Sequence, residues 1–283
     1  MIKRAFWTAA WRLTVLGLVA LAIALLPSTR SLGTLPPAAD SHPLPATTQI
    51  LTPVPLAQVD WRYRRDRLTE KFPGPGAQTA GQTHPASAAS AYQPREEIAA
   101  ADPSNYGPRF LTDIYGRPAS QPLIVVIHET VGAASSAVNL MQTRHERDED
   151  QVSYHSIIRR DGTIIHLVHP QMRAFGAGNS VFNGPNGPET IQTNPEFPPS
   201  VNNFAYHTSL ETPSDGRGNQ SSHSGYTEEQ YQSLAWLVAH LPVPDERITT
   251  HRAVDRSGTR RDPRTFSNER FFNRLHAYVR STE

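Results

Sequence analysis

The run Leu123–Ile127, inside "PLIVVIH", holds five consecutive apolar residues and stops on His128. A strand with one wet face alternates apolar and polar residues, whereas a strand buried on both faces does not. A sheet covered on both sides therefore follows, and helices are the usual cover. The same run raises a chemical question, because the open ends of strands in α/β sheets are where sites form.

The remaining pattern from residue 101 to 283 alternates strand and helix signals. Residues 133–148 suit a helix. Residues 153–168 read as two strand-like runs around Asp161 and Gly162, a hairpin turn pair. Residues 169–203 are rich in Gly, Pro and Asn and read as one long loop. "FAYHTSLET", 204–212, is a strand candidate. "YTEEQYQSLAWLVAHL", 226–241, is the clearest helix, with Thr227 as cap and an apolar stripe of Tyr231, Leu234, Leu237, Val238 and Leu241. "RITTH", 247–251, is a short strand ending on His251. A closing helix spans 268–280, with Phe271, Phe272, Leu275, Tyr278 and Val279 turned inward. The fold class expected is α/β: one domain with a central mixed sheet flanked by helices.

The chain before residue 101 has another character. Lys3, Arg4 and Arg12 precede an uncharged Leu/Ala-rich run, Leu13 to Leu26, that Pro27 ends. That length suits the apolar core of a signal peptide, and counting from Ala5 gives a segment of membrane-span length with Arg12 near its start. Residues 1–33 are thus a signal peptide or a membrane anchor, with anchoring through residues 5–26. Export to the periplasm or cell envelope is the expected location. Residues 34–100 are dominated by Pro, Ala, Ser, Thr and Gln, which bury too little apolar surface to offset chain entropy, and they read as a tether. A basic aromatic island, "VDWRYRRDRLTEKF" at 59–72, interrupts it; its simplest reading is a solvated charged patch.

Whole-chain chemistry narrows the function. A net charge of +1 gives no bulk attraction to nucleic acid, and none is expected as a partner. Cys is absent, which excludes disulfides, thiolate zinc sites and a lipidated cysteine. "HETVG" is not a His-Glu-x-x-His helix, because residue 132 is Gly, and neither a nucleophile elbow nor a Walker motif occurs. Two strands end on imidazoles, His128 and His251, and Asp262 follows in "RAVDRSGTRRDP". Two imidazoles and a carboxylate suit zinc and leave a fourth position open. The 12 histidines of the chain make many accidental triples, so spacing alone does not single this set out.

From about residue 100 to 280 the chain resembles the zinc-dependent N-acetylmuramoyl-L-alanine amidases, relatives of the phage lysozyme-like amidases and peptidoglycan recognition proteins. The motifs follow in order: "IVVIHET", "VSYHSIIRRDGTIIHLV", "YHTSLETP", "YTEEQYQSLAWLVAHL" and "ITTHRAVDRSGTRRDP". The resemblance implies one zinc ion held by His128, His251 and Asp262, and a catalytic glutamate at Glu211. It implies hydrolysis, by a zinc-activated water, of the amide joining N-acetylmuramic acid to L-alanine in peptidoglycan or a muropeptide. Tyr154 is a second candidate for the proton-transfer role, and Arg260 is suited to steady the oxyanion. His155, His166, His169, His207 and His223 receive no chemistry.

The chain departs from the family pattern in three places. Gly176 stands where relatives carry a His in an aromatic-His-Ala-Gly stretch. Arg260 stands where a Lys is usual, and the strand reads Thr208-Ser209-Leu210-Glu211 where relatives read Ile-Gly-Ile-Glu. None of these removes a metal ligand. Two rival readings remain: a peptidoglycan-binding domain without catalysis, and a zinc amidase acting on a different amide. The sequence sets no oligomeric state.

Overall fold

The computed structural model describes residues 92–280; the stretch read as a signal or anchor segment, the basic island and the expected tether up to residue 91 lie outside them. Ten strands and four α-helices are found among the described residues: β1 (Glu96–Ile98), β2 (Tyr106–Pro108), β3 (Ile124–Glu129), α1 (Ala134–Gln142), β4 (Ser156–Ile158), β5 (Ile164–His166), β6 (Met172–Ala174), β7 (Phe182–Gly184), β8 (Gly187–Glu189), β9 (Ala205–Leu210), α2 (Glu228–Ala239), β10 (Ile248–Thr250), α3 (His251–Val254) and α4 (Asn268–Leu275).

Six of the strands form one mixed sheet in the order β1-β5-β4-β9-β3-β10. Only the β4–β5 pair, the hairpin at Asp161 and Gly162, is antiparallel; β1–β5, β4–β9, β9–β3 and β3–β10 are parallel. Gly162 closes that hairpin at φ 84, a conformation that glycine adopts without steric cost. β3 is central and wholly buried, as its unbroken apolar run requires. Val125 and Ile127 face α2 and α4, packing with Leu234, Leu237, Val238, Phe271 and Leu275. Ile124 and Val126 face the other way, against Val201, Phe204, Phe182 and Val254. Farther along that second face α1 covers β4 and β5 through Ala134 and Met141 on Ile157 and Ile165.

α2 begins on a complete capping box. Thr227 Oγ1 accepts from Gln230 N at 3.1 Å and Gln230 Oε1 accepts from Thr227 N at 3.1 Å, so two end amides are satisfied reciprocally. All five residues of its expected stripe are buried.

Several expectations are corrected. α1 stops at Gln142 rather than 148, because the apolar stripe ends at Met141 and Thr143 turns extended. The closing helix ends at Leu275, and Val279 is 72% exposed rather than turned inward. The 169–203 stretch is not one loop. It contains β6, which pairs with β2, and the β7–β8 hairpin, which turns at Pro185 and Asn186 and enters β8 on Gly187 (φ 115). His251 opens α3 instead of ending β10. The edge strand β1 lies ahead of residue 101, the boundary expected from composition. Among the described residues no helix is long and apolar enough to cross a membrane.

Candidate metal centre

Sheet register brings the two histidines together. Thr250 stands opposite Ile127, so the chain leaves β10 beside the end of β3 and His251 meets His128. Their ring centroids are 4.5 Å apart. The segment after α3 folds back, with Arg252 N donating to Asp262 O at 2.8 Å, and this carries the Asp262 carboxylate over both rings. Asp262 Oδ2 lies 3.0 Å from His251 Nδ1 and 3.4 Å from His128 Nδ1. One donor atom from each residue lies within 4.8 Å of the other two.

These separations bear on whether zinc fits. Ligand atoms at tetrahedral corners about 2.0–2.1 Å from zinc stand about 3.3 Å from one another, and the two distances to Asp262 bracket that value. His128 Nδ1 is also a buried nitrogen with no hydrogen-bond partner, which is costly unless something else uses its lone pair. Burial, helped by the neighbouring His251 charge, pushes the His128 pKa down to about 4, so the ring is neutral at physiological pH. Burial opposes ionisation of Asp262, but the two imidazoles beside it hold its carboxyl below the usual range, and it stays an anion. A neutral imidazole and an ionised carboxylate are the forms in which such groups bind zinc.

Glu129, next to His128 in sequence, points to the opposite face of β3. Arg264 Nε donates to its Oε1, while His223 Nε2 (3.0 Å) and Tyr226 OH (2.8 Å) reach Oε2. The Arg264 guanidinium also donates to the carbonyls of Gly216 (2.5 Å), Gln220 (2.6 Å) and Gly218 (3.3 Å). This buried clamp ties the strand of His128 to the segment of Asp262. Val131 (φ 56) and Thr265 (φ 55) are the non-glycine residues at positive φ among the described ones, and they follow its two members closely. β-branched residues resist that conformation, so strained turns stand at the clamp, near His128 and Asp262.

The model of the N-acetylmuramoyl-L-alanine amidase family matches residues 118–265, a little over half of the chain, and the match contains all three converging residues. The chain belongs to this family. Solved structures similar to this amidase-family chain include a selenomethionine derivative of AmpD, 20% identical, covering 65% of this chain and 96% of that one with a TM-score of 0.45. Another is the amidase LysC of Clostridium intestinale, 18% identical, covering 65% and 99% at 0.41. A third is AmpD of Citrobacter freundii, 20% identical, covering 64% and 90% at 0.40. No curated protein matches the sequence.

The other candidates of this amidase-family site are distributed as follows. The Tyr154 ring lies 4.5 Å from that of His128, just before β4 rather than on it. Burial first, then the Asp262 charge, raises its phenol pKa, so it keeps its proton. Arg260 is exposed, and its charge acts on both Tyr154 and His128. Its loop is shaped by Asp255, whose carboxylate accepts from the backbone N–H of Ser257, Thr259 and Arg260 at 3.0 Å each. Glu211 has a backbone duty: Oε1 accepts from Ala134 N and Oε2 from Arg160 N, both at 3.1 Å. Ala133, at the cap position just before α1, has no side-chain oxygen, and Glu211 caps that helix from a distance. The residue standing opposite His128 on β9 is Ser209.

Sequence reasoning passed over His207. Its Nδ1 lies 2.9 Å from His128 Nε2. Residue parity on "YHTSLET" puts His207 and Ser209 on one face, but which face touches His128 depends on a register that one strand does not reveal.

Proposed function

We propose that this chain is a zinc-dependent amidase that cleaves the bond between the lactyl carbonyl of N-acetylmuramic acid and L-alanine in peptidoglycan. Membership of the amidase family supports the reaction class. The observation that carries the zinc reading is the convergence of His128, His251 and Asp262, with His128 Nδ1 buried and unbonded. When bound there, zinc supplies Lewis acidity toward the amide carbonyl and eases the ionisation of water.

The chain's own groups carry the rest. Water adds to the carbonyl carbon, the C–N bond breaks, the departing nitrogen of L-alanine takes a proton, and the proton shed by the water restores the donor. Tyr154, kept protonated by burial and the Asp262 anion, is suited to give it. Arg260 is suited to balance negative charge on the carbonyl oxygen. Each Glu211 oxygen already accepts a backbone N–H that holds local structure, from Ala134 or Arg160, and Tyr154 has no such duty, which favours Tyr154 for the proton transfer. The N-terminal composition supports export to the periplasm or envelope, with residues 34–100 as a tether from a cleaved or retained leader.

A second reading, binding of peptidoglycan without hydrolysis, draws support from the engagement of Glu211 and from Ser209 opposite His128. One experiment separates them: zinc content of the full-length chain, followed by mass analysis of stem peptides released from purified cell walls. Zinc with release of stem peptides starting at L-alanine is the expected result. Zinc without release supports the binding reading, and a chain free of zinc after incubation with the metal overturns both metal-based readings.

A further inference from the structure

His207 is wholly buried on β9, on the face that it shares with Ser209. One ring nitrogen, Nδ1, lies 2.9 Å from His128 Nε2, and the other, Nε2, is buried with no partner. Two nitrogens at that distance share one proton, so one ring donates and the other accepts. The choice is set at the far side of His128. Its Nδ1 faces Asp262 and lies near His251, and as a metal donor it must present a lone pair. The His128 proton then sits on Nε2 and is donated to His207 Nδ1, which leaves the His207 proton on Nε2.

The seat for His207 is built from two sides. Its backbone N–H donates to His155 Nδ1 at 2.9 Å. His155 accepts there through Nδ1, while its Nε2 lies 3.2 Å from Met172 O and 3.4 Å from Arg109 Nη2, and the ring fixes the strand at His207. From the other side Gly176 leaves the room. A Cβ at residue 176 would stand 2.5 Å from His207 Cγ and 2.6 Å from its Nδ1, closer than real contacts allow. Every side chain other than hydrogen at 176 therefore displaces the imidazole or is displaced by it.

We propose that His207 is a positioning residue for the metal centre: by accepting from His128 Nε2–H it fixes the tautomer and tilt of His128 so that Nδ1 faces the metal, and Gly176 is there to admit it. Partners of this kind on the unused nitrogen of a ligating histidine are worth about 10- to 100-fold in metal affinity. The inference rests on the zinc reading above, and its test keeps the two apart because wild type is measured alongside.

The test measures zinc dissociation constants of the full-length chain by chelator competition. His207→Ala loses the acceptor and is expected to bind zinc about 10- to 100-fold more weakly than wild type. His207→Asn, whose Oδ1 can stand in for Nδ1, is expected to recover most of that loss. Gly176→Ala keeps the imidazole but pushes it off its seat and is expected to weaken zinc as His207→Ala does. Adding it to His207→Ala is expected to cost little more, since both act on one contact. In 15N-labelled, zinc-loaded protein the His128 ring is expected to show a proton on Nε2. If wild type binds zinc and both His207→Ala and Gly176→Ala bind it equally well, or if His128 carries its proton on Nδ1, the positioning role is refuted. Should His207→Ala not fold, Gly176→Ala against wild type decides by the same criterion.

Discussion

Arg264→Ala tests the buried clamp beside the candidate ligands. The change removes the guanidinium partner of Glu129, a carboxylate whose side chain is 1% exposed, and leaves it with His223 and Tyr226 as side-chain partners. It also strips a donor from each of the Gly216, Gly218 and Gln220 carbonyls. Breaking a buried ion pair from one side costs about 3–5 kcal/mol, mostly as the penalty of the charge left behind. For a domain of this size each kcal/mol lowers the melting temperature by about 2–4 °C. A fall of roughly 6–20 °C follows from those two figures. The assay is calorimetry of metal-free protein, so that stability is read apart from zinc affinity. Glu129→Gln combined with Arg264→Met leaves no stranded charge and is expected to lose less than Arg264→Ala alone. A fall of less than about 2 °C in Arg264→Ala, under 1 kcal/mol on that scale, would refute the clamp. So would a double variant that falls as far as the single one.

Three further outcomes are expected. His155 is buried as a neutral ring, with burial holding its pKa well below the ordinary value. Below about pH 6.5 the unfolded chain gains a proton there that the folded chain does not, so stability is full above that pH and falls by about 1.4 kcal/mol per unit as pH drops. Urea midpoints at several pH values read the total slope, to which buried His128 and His207 add their own shares, and His155→Asn is expected to lower it by its one-proton share. Tyr154→Phe is expected to keep zinc and lower kcat by about 100- to 10,000-fold, the usual worth of a positioned proton donor; steady-state hydrolysis of a soluble muropeptide measures it, and an unchanged kcat excludes the phenol. Glu211→Ala is expected to lower the melting temperature by removing the long-range cap of α1, a loss of about 1 kcal/mol, while zinc binding persists. A rate collapse in that variant with the melting temperature unchanged would return the proton transfer to Glu211.

What the sequence revealed follows from which signals are local. The apolar run to Ile127, the hairpin at Asp161 and Gly162, and the box from Thr227 to Gln230 each depend on neighbours a few residues away, and each stands where periodicity and turn chemistry put it. The order of strands and their parallel register come from long-range pairing, and that is why the contact of His207 with His128 went unread although its parity on β9 was visible. The β7–β8 hairpin was missed for a different reason. Its Pro185–Asn186 turn lies between strands of three residues each, too short to show alternation. His128, His251 and Asp262 were identified by residue type and order, but their convergence depends on Thr250 lying opposite Ile127. Glu211 was legible by residue type and place after β9, but the two backbone amides its carboxylate accepts from come from Ala134 and Arg160, far away in sequence, and no local signal shows them.

The most direct measurement of the central claim is anomalous diffraction at the zinc edge from crystals of the zinc-loaded full-length chain. The account predicts one peak about 2.0–2.2 Å from His128 Nδ1, from a ring nitrogen of His251 and from an Asp262 carboxylate oxygen, with the fourth corner left to solvent. A peak bound by other side chains, or bound zinc with these three residues unligated, would contradict it.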